Sequence, residues 1–530
     1  MKNKDSQNII LTGFMATGKT TVGRTLASQL GYEFVDTDEL IESRIGMTIS
    51  EYFKKEGEAA FRKMEADLAK ELAERRGLVI STGGRFMLDG DNAAVLGKTG
   101  RVFCLVATPE EILQRAESDG HVRPLLQVPN PLEHIVELLD QRKKGYGRFP
   151  QFLTSEKSPE TVAGDLVGII AGSPDVRLPI AAPYDRYEFI VGGGLLPFLS
   201  QLAGIEGPMA IITDENVGPL YARSCGPADV VITVKPGRKN KTLATAQSIY
   251  EQLVDADFDR SGTVIALGGT VISELAGFIA ATYMRGVDCV QCPTSLLAMV
   301  DTSIGGKTGI DLPQGKNLIG AFKQPKTVIA DVATLHSLSP RAFASGMAEV
   351  IKHSLIADSD LLRKIESGSW IRTPGEIRQQ AMELQALVAQ AIQVKINIVQ
   401  EDPYDRGRRA VLNFGHTFAN AIERLSSHAI SHGEAVAMGI VAATRLSEQL
   451  GHCSVDLPER VETVLGSAGL PVQIPGDLAP DQLLKAMGSD KKKMAGKLRY
   501  VLLRDVGDVF VTDDVPEDAV LDTLAALKAS

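Results

Sequence analysis

Residues 13–20 read GFMATGKT and constrain the fold more than any other part of the chain. They fit the pattern G-x-x-x-x-G-K-[S/T], they follow the apolar run NIILT, and they open the helical pattern TTVGRTLASQL. The glycines allow backbone N–H groups to surround phosphate oxygens, while Lys19 reaches the terminal phosphates and the Thr20 hydroxyl suits Mg²⁺. The helix start adds partial positive charge. The sequence therefore predicts a P-loop that binds a nucleotide.

The alternation of apolar strands and amphipathic helices divides the chain of 530 residues. Residues 1–170 predict an α/β domain whose parallel sheet is covered by helices. Residues 171–185 carry three prolines and little periodicity, and we predict a linker there. Strands and helices alternate again over 186–338, which indicates a cofactor-binding α/β domain. Helical spacing dominates 339–530 and predicts a helical domain.

Composition excludes several classes of function. The net charge of -10 gives no general attraction to nucleic acid or to anionic membranes, so we expect neither partner. The N-terminal apolar run is too short for a signal peptide, and no stretch approaches ~20 apolar residues. We therefore expect a cytoplasmic protein. The five cysteines are odd in number and form no disulfide framework, and we expect Cys289 and Cys292 to lie in a buried strand.

Three features near the P-loop suggest an acceptor site. Asp36 and Asp38 follow a predicted strand, where carboxylates hold Mg²⁺-bound water and accept from a substrate hydroxyl. Arg62 lies on a predicted helix and suits a carboxylate, and Gly84 with its neighbour Gly83 allows close backbone approach. Each feature alone is weak, since such residues also serve as helix caps or solvated surface positions.

Together these motifs resemble the shikimate kinase family over the first 170 residues. The resemblance implies phosphorylation of shikimate by MgATP. It implies an ATP site made of Gly13, Gly18, Lys19, Thr20, Thr21 and Arg123, with Thr20 on Mg²⁺ and Asp36 beside it. It implies a shikimate site made of Asp38, Arg62, Gly84 and Arg142. Arg85 departs from the family, which has a third glycine at this position.

Glu349, His416 and His432 are the strongest metal-ligand candidates among the ionisable residues. One carboxylate and two neutral imidazoles suit Zn²⁺ and leave a position for substrate. They come from separate segments, so their spacing alone is weak evidence, and most histidines in a protein bind no metal. The strings PTSLLAMVDTSIGGKTGID and GKNLIGAF place several lysines in Gly-rich surroundings, which suits a phosphorylated, carboxylated substrate.

These strings resemble the 3-dehydroquinate synthase family over residues 186–530. The resemblance implies a lyase that depends on NAD⁺ and on Zn²⁺ or Co²⁺ and converts 3-deoxy-D-arabino-heptulosonate 7-phosphate to 3-dehydroquinate and phosphate. We also expect a homo-oligomer, with a homodimer as the first choice. Its implied metal ligands are Glu349, His416 and His432. Its implied substrate residues are Arg285, Asp301, Lys307, Asn317, Lys352, Lys395, Arg409, Asn413 and Lys491 or Lys492. Its implied NAD⁺ residues are Asp214, Asn216, Lys241, Gly268, Gly269, Thr294, Ser295 and Lys316.

This region departs from the family pattern at several positions. Thr270 stands where a third glycine is usual, and Ser273-Glu274 replaces a Gly-Asp pair. Arg238 stands where a glutamate is expected. These departures cluster around the dinucleotide, so they bear on cofactor preference, and Arg238 suits a phosphorylated ribose. Asn420 replaces a histidine one turn after His416.

Two alternatives remain open from the sequence. The second half could be a metal- and NAD-dependent polyol dehydrogenase, although an uncharged polyol needs no cluster of lysines. One half could also be a decayed domain kept for assembly or sensing. Intact Lys19, Asp38 and metal-ligand candidates argue against decay.

Overall fold

The structure, a computed structural model, describes residues 7–118, 126, 128–147, 149–155, 157–171, 175–182, 186–367, 381–427, 429–488 and 498–529. The chain forms two compact units. Unit 1 consists of Met1–Gly172, Gly194–Glu206 and Pro219–Ala228, and unit 2 consists of Ser173–Gly193, Gly207–Gly218 and Asp229–Ser530. No helix in the described ranges is long and apolar enough to cross a membrane.

Unit 1 is built on a parallel sheet with the strand order β2-β3-β1-β4-β5. The strands are β1 Asn8–Gly13, β2 Glu33–Asp36, β3 Leu78–Ser81, β4 Gly100–Val106 and β5 Gln151–Leu153. The helices are α1 Lys19–Leu30, α2 Thr37–Ile45, α3 Ile49–Glu56, α4 Glu58–Glu74, α5 Gly90–Gly97, α6 Pro109–Ser118, α7 Pro131–Tyr146, α8 Pro159–Ala171 and the short α9 Leu199–Leu202. Strands β1 and β3 are buried throughout, because apolar clusters lie on both faces of the sheet. This confirms the predicted α/β layering.

Unit 2 begins with a seven-stranded sheet in the order β6-β7-β14-β11-β10-β8-β9. Its strands are β6 Val176–Ala181, β7 Arg186–Gly192, β8 Met209–Asp214, β9 Val230–Val234, β10 Thr263–Gly268, β11 Asp288–Pro293 and β14 Thr327–Asp331. Its helices are α11 Leu243–Asp255 and α12 Thr270–Thr282, and the short α10 Gly218–Tyr221 begins at the last residue of the segment Gly207–Gly218. Strand β12 Lys307–Leu312 pairs antiparallel with β13 Gly315–Phe322. Cys289 and Cys292 are buried in β11, as predicted.

The rest of unit 2 is mainly helical, as its spacing predicts. The helices are α13 Pro340–Ala357, α14 Ser359–Glu366, α15 Ala381–Glu401, α16 His416–Leu425, α17 His432–Gln449, α18 Leu457–Ser467, α19 Pro480–Gly488 and α20 Glu517–Ala526. Helices α13 and α17 are buried along most of their length in one apolar cluster. The hairpin of β15 Tyr500–Asp505 and β16 Asp508–Thr512 packs against α17 and is absent from the sequence prediction.

The predicted linker 171–185 is wrong in part, because its residues 176–181 form β6. This strand pairs antiparallel with β7 at the edge of the sheet. An edge strand tolerates Pro179, since only one side of the strand needs ladder donors. The predicted first domain also lacks two short segments of unit 1. In one of them, the Phe198 ring lies 5.8 Å from the Phe103 ring, centroid to centroid.

Candidate active sites

The P-loop of unit 1 has the backbone that phosphate binding requires. Gly13 has φ +136°, and a Cβ there would overlap the carbonyl oxygen of Leu105. Gly18 has φ +89° and stands at the start of α1, whose first turn carries no acidic residue. Both glycines are therefore required by conformation, and the half-buried start of α1 suits an anion.

The side chains that follow the loop meet the end of β2. Lys19 Nζ donates to the carbonyl oxygen of Phe14 at 2.8 Å. Thr20 Oγ1 donates to Asp36 Oδ2 at 2.8 Å and lies 3.4 Å from Ser81 Oγ. Thr21 is exposed in the first turn of α1. The hydroxyl of Thr20 and the carboxylate of Asp36 thus form an oxygen-rich pair that fits Mg²⁺.

Asp38 and Arg142 each lie beside the Gly83-Gly84 turn. A Cβ on Gly83 would lie 2.5 Å from Asp38 Oδ1, and a Cβ on Gly84 would lie 4.0 Å from Arg142 Nη1. Burial, reinforced by the charge of Asp36, raises the pKa of Asp38 to about 6. A carboxyl group poised near neutrality suits a general base.

Arg62 and Arg85 share one carboxylate. Arg62 bonds Glu65 at 2.6 Å and Glu58 at 2.8 Å on its own helix, and Arg85 reaches Glu58 at 3.2 Å. The Arg85 side chain is 56% exposed. Arg85, which stands where the family has a third glycine, therefore binds the Glu58 carboxylate. Sequence reasoning missed both glutamates, although their spacing to Arg62 was a helical i,i+3/i,i+4 signal. Arg123 lies outside the described residues.

In unit 2, Glu349, His416 and His432 converge from α13, α16 and α17. One ligand atom from each lies within 4.8 Å of the others. The Nε2 atoms of His416 and His432 lie 3.6 and 3.4 Å from Glu349 Oε1. Glu349 is fully buried, and its Oε1 atom is the one that faces both imidazole nitrogens. A buried carboxylate facing two imidazole nitrogens fits a divalent metal ion.

The other nitrogen of each imidazole is held by an acceptor. His416 Nδ1 lies 3.2 Å from the carbonyl oxygen of Phe414, and His432 Nδ1 lies 3.2 Å from Glu423 Oε1. Such partners fix the tautomer that presents Nε2 as a metal ligand. The sequence motifs did not indicate a role for Glu423. The signal was its position seven residues after His416, which places both on one face of α16.

Buried lysines surround the metal donors. Lys352 forms an ion pair with Glu349, and Lys395 Nζ lies 2.7 Å from Asp301 Oδ1. Burial alone would raise the pKa of Glu349, but the Lys352 ammonium and the two imidazoles hold it well below its usual range. The carboxylate is therefore charged, as a metal ligand must be. Asp301, Glu349 and His353 form a second cluster of possible ligands, which shares Glu349 with the first.

The other predicted substrate residues lie in different parts of unit 2. Arg409 is buried and donates to the carbonyl oxygens of Gly305 and Pro403, and Asn413 ends the same short helical segment. Lys307 forms an ion pair with Asp405. Arg285 lies before the start of β11, at the opposite end of the sheet from the carboxyl edge. The structure therefore does not bring Arg285 to the other residues. Lys491 and Lys492 lie outside the described residues.

The predicted NAD⁺ residues lie mainly at the carboxyl edge of the sheet. This edge carries Asp214 at the end of β8, Lys241 after β9, Gly268 and Gly269 at the end of β10, and Thr294 and Ser295 after β11. Asp214 Oδ1 accepts from the backbone N–H of Asn216 at 2.9 Å. A Cβ on Gly269 would lie 3.4 Å from Ser295 Oγ, and the first turn of α12 carries no acidic residue. This glycine cradle at a helix start fits a pyrophosphate.

Two predicted neighbours, Lys316 and Asn317, face different groups. Lys316 Nζ lies 3.2 Å from Glu423 Oε2, so it contacts the carboxylate that orients His432. Asn317 instead accepts from the buried Lys241, and Lys241 also pairs with Glu274. The contacts thus associate Lys316 with the metal side and Asn317 with the dinucleotide side, the reverse of their implied roles.

Comparisons with known proteins agree with this division. The shikimate kinase family profile matches residues 15–170. The profiles for the N-terminal and C-terminal parts of 3-dehydroquinate synthase match residues 231–345 and 346–493. A 3-dehydroquinate synthase from Synechococcus sp. is 40% identical over 365 residues, which cover 66% of this chain and 99% of that protein. Another from Symbiobacterium thermophilum is 41% identical, covering 65% of this chain and 98% of its own length.

A solved structure shares the fold of the second region. It is ValA, a 2-epi-5-epi-valiolone synthase from Streptomyces hygroscopicus with NAD⁺ and Zn²⁺ bound. Its TM-score is 0.60 at 24% identity, and the match covers 66% of this chain and 98% of that one.

The fold and the two sites define an enzyme that joins a P-loop phosphotransferase to a lyase of the sugar-phosphate cyclase type. The chain belongs to the 3-dehydroquinate synthase family and carries a shikimate kinase domain ahead of it. It is thus a bifunctional enzyme of the shikimate pathway.

Proposed function

We propose that Asp38 is the general base of the kinase reaction in unit 1. Its carboxylate takes the proton of the shikimate hydroxyl while that oxygen attacks the γ-phosphorus of ATP and ADP leaves. The raised pKa, about 6, keeps it mostly ionised at neutral pH yet basic enough to accept a proton. Its burial next to Gly83 supports this role.

The remaining polar groups of unit 1 bind and orient the two substrates. Lys19 stabilises charge on the transferring phosphoryl group, and Thr20 with Asp36 holds the Mg²⁺ that accompanies ATP. Arg142 binds the shikimate carboxylate beside Gly84, and Arg62 contributes a second cation. Placing both substrates in one geometry accounts for much of the rate enhancement in such reactions.

In unit 2, Glu349, His416 and His432 hold Zn²⁺ or Co²⁺, and the carboxyl edge of the sheet holds NAD⁺. One observation supports this assignment above all. The buried Glu349 carboxylate faces the Nε2 atoms of two histidines, and the Nδ1 atom of each histidine already lies against an oxygen acceptor. When bound, the metal supplies a Lewis acid and the dinucleotide accepts and returns a hydride. The structure of ValA, which has NAD⁺ and Zn²⁺ bound, supports the same pair of cofactors.

The buried cations of unit 2 hold the substrate. Lys352, Lys395 and Arg409 are all at most 5% exposed. Buried cations require anionic partners. A phosphorylated, carboxylated sugar adds a phosphate and a carboxylate to the anionic groups of the protein. Among the described residues Arg409 donates to carbonyl oxygens and forms no ion pair, so an uncharged polyol would leave this cation without an anionic partner, which argues against a polyol dehydrogenase. The homodimer remains a prediction.

Metal analysis of the purified full chain tests this assignment. Wild type should carry one Zn²⁺ or Co²⁺ in unit 2. His432→Ala should lose it, because two protein ligands are too few for tight binding in a site that must also hold substrate. His452→Ala is the matched control, since His452 is exposed and packs on the Phe510 ring. Full metal occupancy in His432→Ala would place the metal elsewhere.

A further inference from the structure

The path of the chain through the seven-stranded sheet marks the dinucleotide site. Strands β8 and β10 are neighbours, but the chain runs from β8 to β9 on one side and then crosses to β10 on the other. In open α/β sheets, ligands bind outside the carboxyl ends of the strands at such a reversal. Asp214 ends β8 and Gly268 ends β10, and both lie at this point.

The residue after the adjacent strand reads the ribose in many dinucleotide sites. An acidic residue there accepts the 2′-hydroxyl, whereas an arginine accommodates a 2′-phosphate. Strand β9 pairs with β8 and ends at Val234, and Arg238 begins the next short helical turn. Asp214, the acidic residue that ends β8, uses its Oδ1 to accept from two backbone N–H groups of its own turn.

Arg238 is anchored by one nitrogen of its guanidinium. Its Nε donates to Asp311 Oδ2 at 2.8 Å, and Asp311 Oδ1 accepts from the backbone N–H of Asn317 at 2.8 Å. Buried Lys241 lies 3.3 Å from the same carboxylate. Within the described residues, Nη1 and Nη2 of Arg238 carry no hydrogen bond, and the side chain is 39% exposed. The contact through Nε therefore orients the Arg238 guanidinium, and its Nη1 and Nη2 groups can donate to a ligand.

We infer that Arg238 makes the dinucleotide site of unit 2 accept a 2′-phosphorylated dinucleotide, so that NADP⁺ binds at least as tightly as NAD⁺. The inference rests on the proposed dinucleotide site and specifies its ligand class. Two N–H donors of a planar guanidinium match the oxygens of a phosphate group, and such charge-assisted bonds are strong. An acidic residue at this position would repel the same phosphate.

Equilibrium binding to the full-length protein tests the inference without any turnover. NADH and NADPH are titrated separately by fluorescence, and adenosine 2′,5′-bisphosphate and 5′-AMP are used as competitors that differ only in the 2′-phosphate. Arg238→Gln should weaken NADPH binding on the order of 10-fold or more and leave NADH within about 3-fold, because one charge-assisted contact is lost. Arg238→Glu should widen the difference. Lys239→Gln is the control, an exposed cation in the same turn.

The outcomes separate this inference from the proposed function. Tight NADPH binding that Arg238→Gln selectively weakens supports the inference. If NADH binds and NADPH does not compete, or if Arg238→Gln weakens both equally, the role of Arg238 is wrong and the dinucleotide site stands. If neither dinucleotide binds the wild-type protein, the proposed site itself falls and the inference with it. An equal effect of Lys239→Gln would show a general charge effect and also overturn it.

Discussion

The phosphate site of unit 1 and the metal site of unit 2 are built in contrasting ways. In unit 1 the phosphate loop is one continuous segment, residues 13–20, and its backbone conformation forms the phosphate site. Unit 2 assembles its metal donors from α13, α16 and α17, which meet only through tertiary packing. A local motif can therefore be recognised from its own residues, whereas a dispersed site requires the fold or a family resemblance.

The two sites also treat a buried carboxylate in opposite ways. Burial dominates at Asp38 and raises its pKa to about 6, which suits a base. At Glu349 the neighbouring Lys352 and imidazoles outweigh burial and keep the pKa low, which suits a ligand. The difference shows that burial alone does not decide the role of a carboxylate, since the charges beside it do.

The largest single-site effect should come from Asp38→Asn. Removing the base should lower shikimate phosphorylation on the order of 10³-fold, because a general base contributes about 10²–10⁴-fold. MgATP affinity should change little, and the rate of dehydroquinate formation should be that of wild type. Asp67→Asn, at an exposed carboxylate on α4, is the control. A wild-type kinase rate in Asp38→Asn would remove the proposed contrast between the two carboxylates.

A smaller effect is expected at the residue that orients a metal ligand. Glu423→Gln should lower metal affinity roughly 10- to 100-fold, because the acceptor that fixes His432 Nδ1 is weakened. Competition with a chromogenic zinc chelator measures this affinity. Glu383→Gln provides an exposed glutamate for comparison. An unchanged zinc affinity would mean that α16 and α17 alone orient the histidine.

The smallest effect is expected at Arg85. Its side chain is exposed and bonded to Glu58, so Arg85→Gly should change the KM for shikimate by less than about 3-fold. Arg62→Ala, by contrast, should raise the KM for shikimate about 10-fold or more, because the variant loses a charged contact to the shikimate carboxylate. Steady-state kinetics of both variants measure the comparison. A large gain in kcat/KM on Arg85→Gly would show that the arginine obstructs the acceptor.

Much of this arrangement could be predicted from the sequence. The P-loop and the alternating strands appear where the motifs indicate, because apolar periodicity and glycine positions report local structure directly. The metal trio was suggested by the family resemblance, because its spacing alone is weak evidence. Gly13 and Gly18 show the left-handed φ values that the motif requires. The roles implied for individual substrate residues are untested and remain predictions.

Other features depend on contacts that a linear pattern does not carry. Strand β6 was missed because Pro179 breaks the usual strand signal, yet an edge position permits it. Glu423 was missed because its partner, His432, lies on another helix. Arg285 follows α12, which runs back across the sheet, so its position at the far edge follows from topology and not from its motif.

The central claim is that one chain carries two chemically independent sites. Lys19→Ala and His432→Ala, each assayed for both reactions with excess Mg²⁺ in the kinase assay, test it most directly. We expect Lys19→Ala to lose about 10²-fold or more of shikimate phosphorylation and to form dehydroquinate at the wild-type rate. We expect the reverse pattern for His432→Ala, whose Nε2 faces Glu349. A loss of both activities in either folded variant, or of neither, would contradict the account.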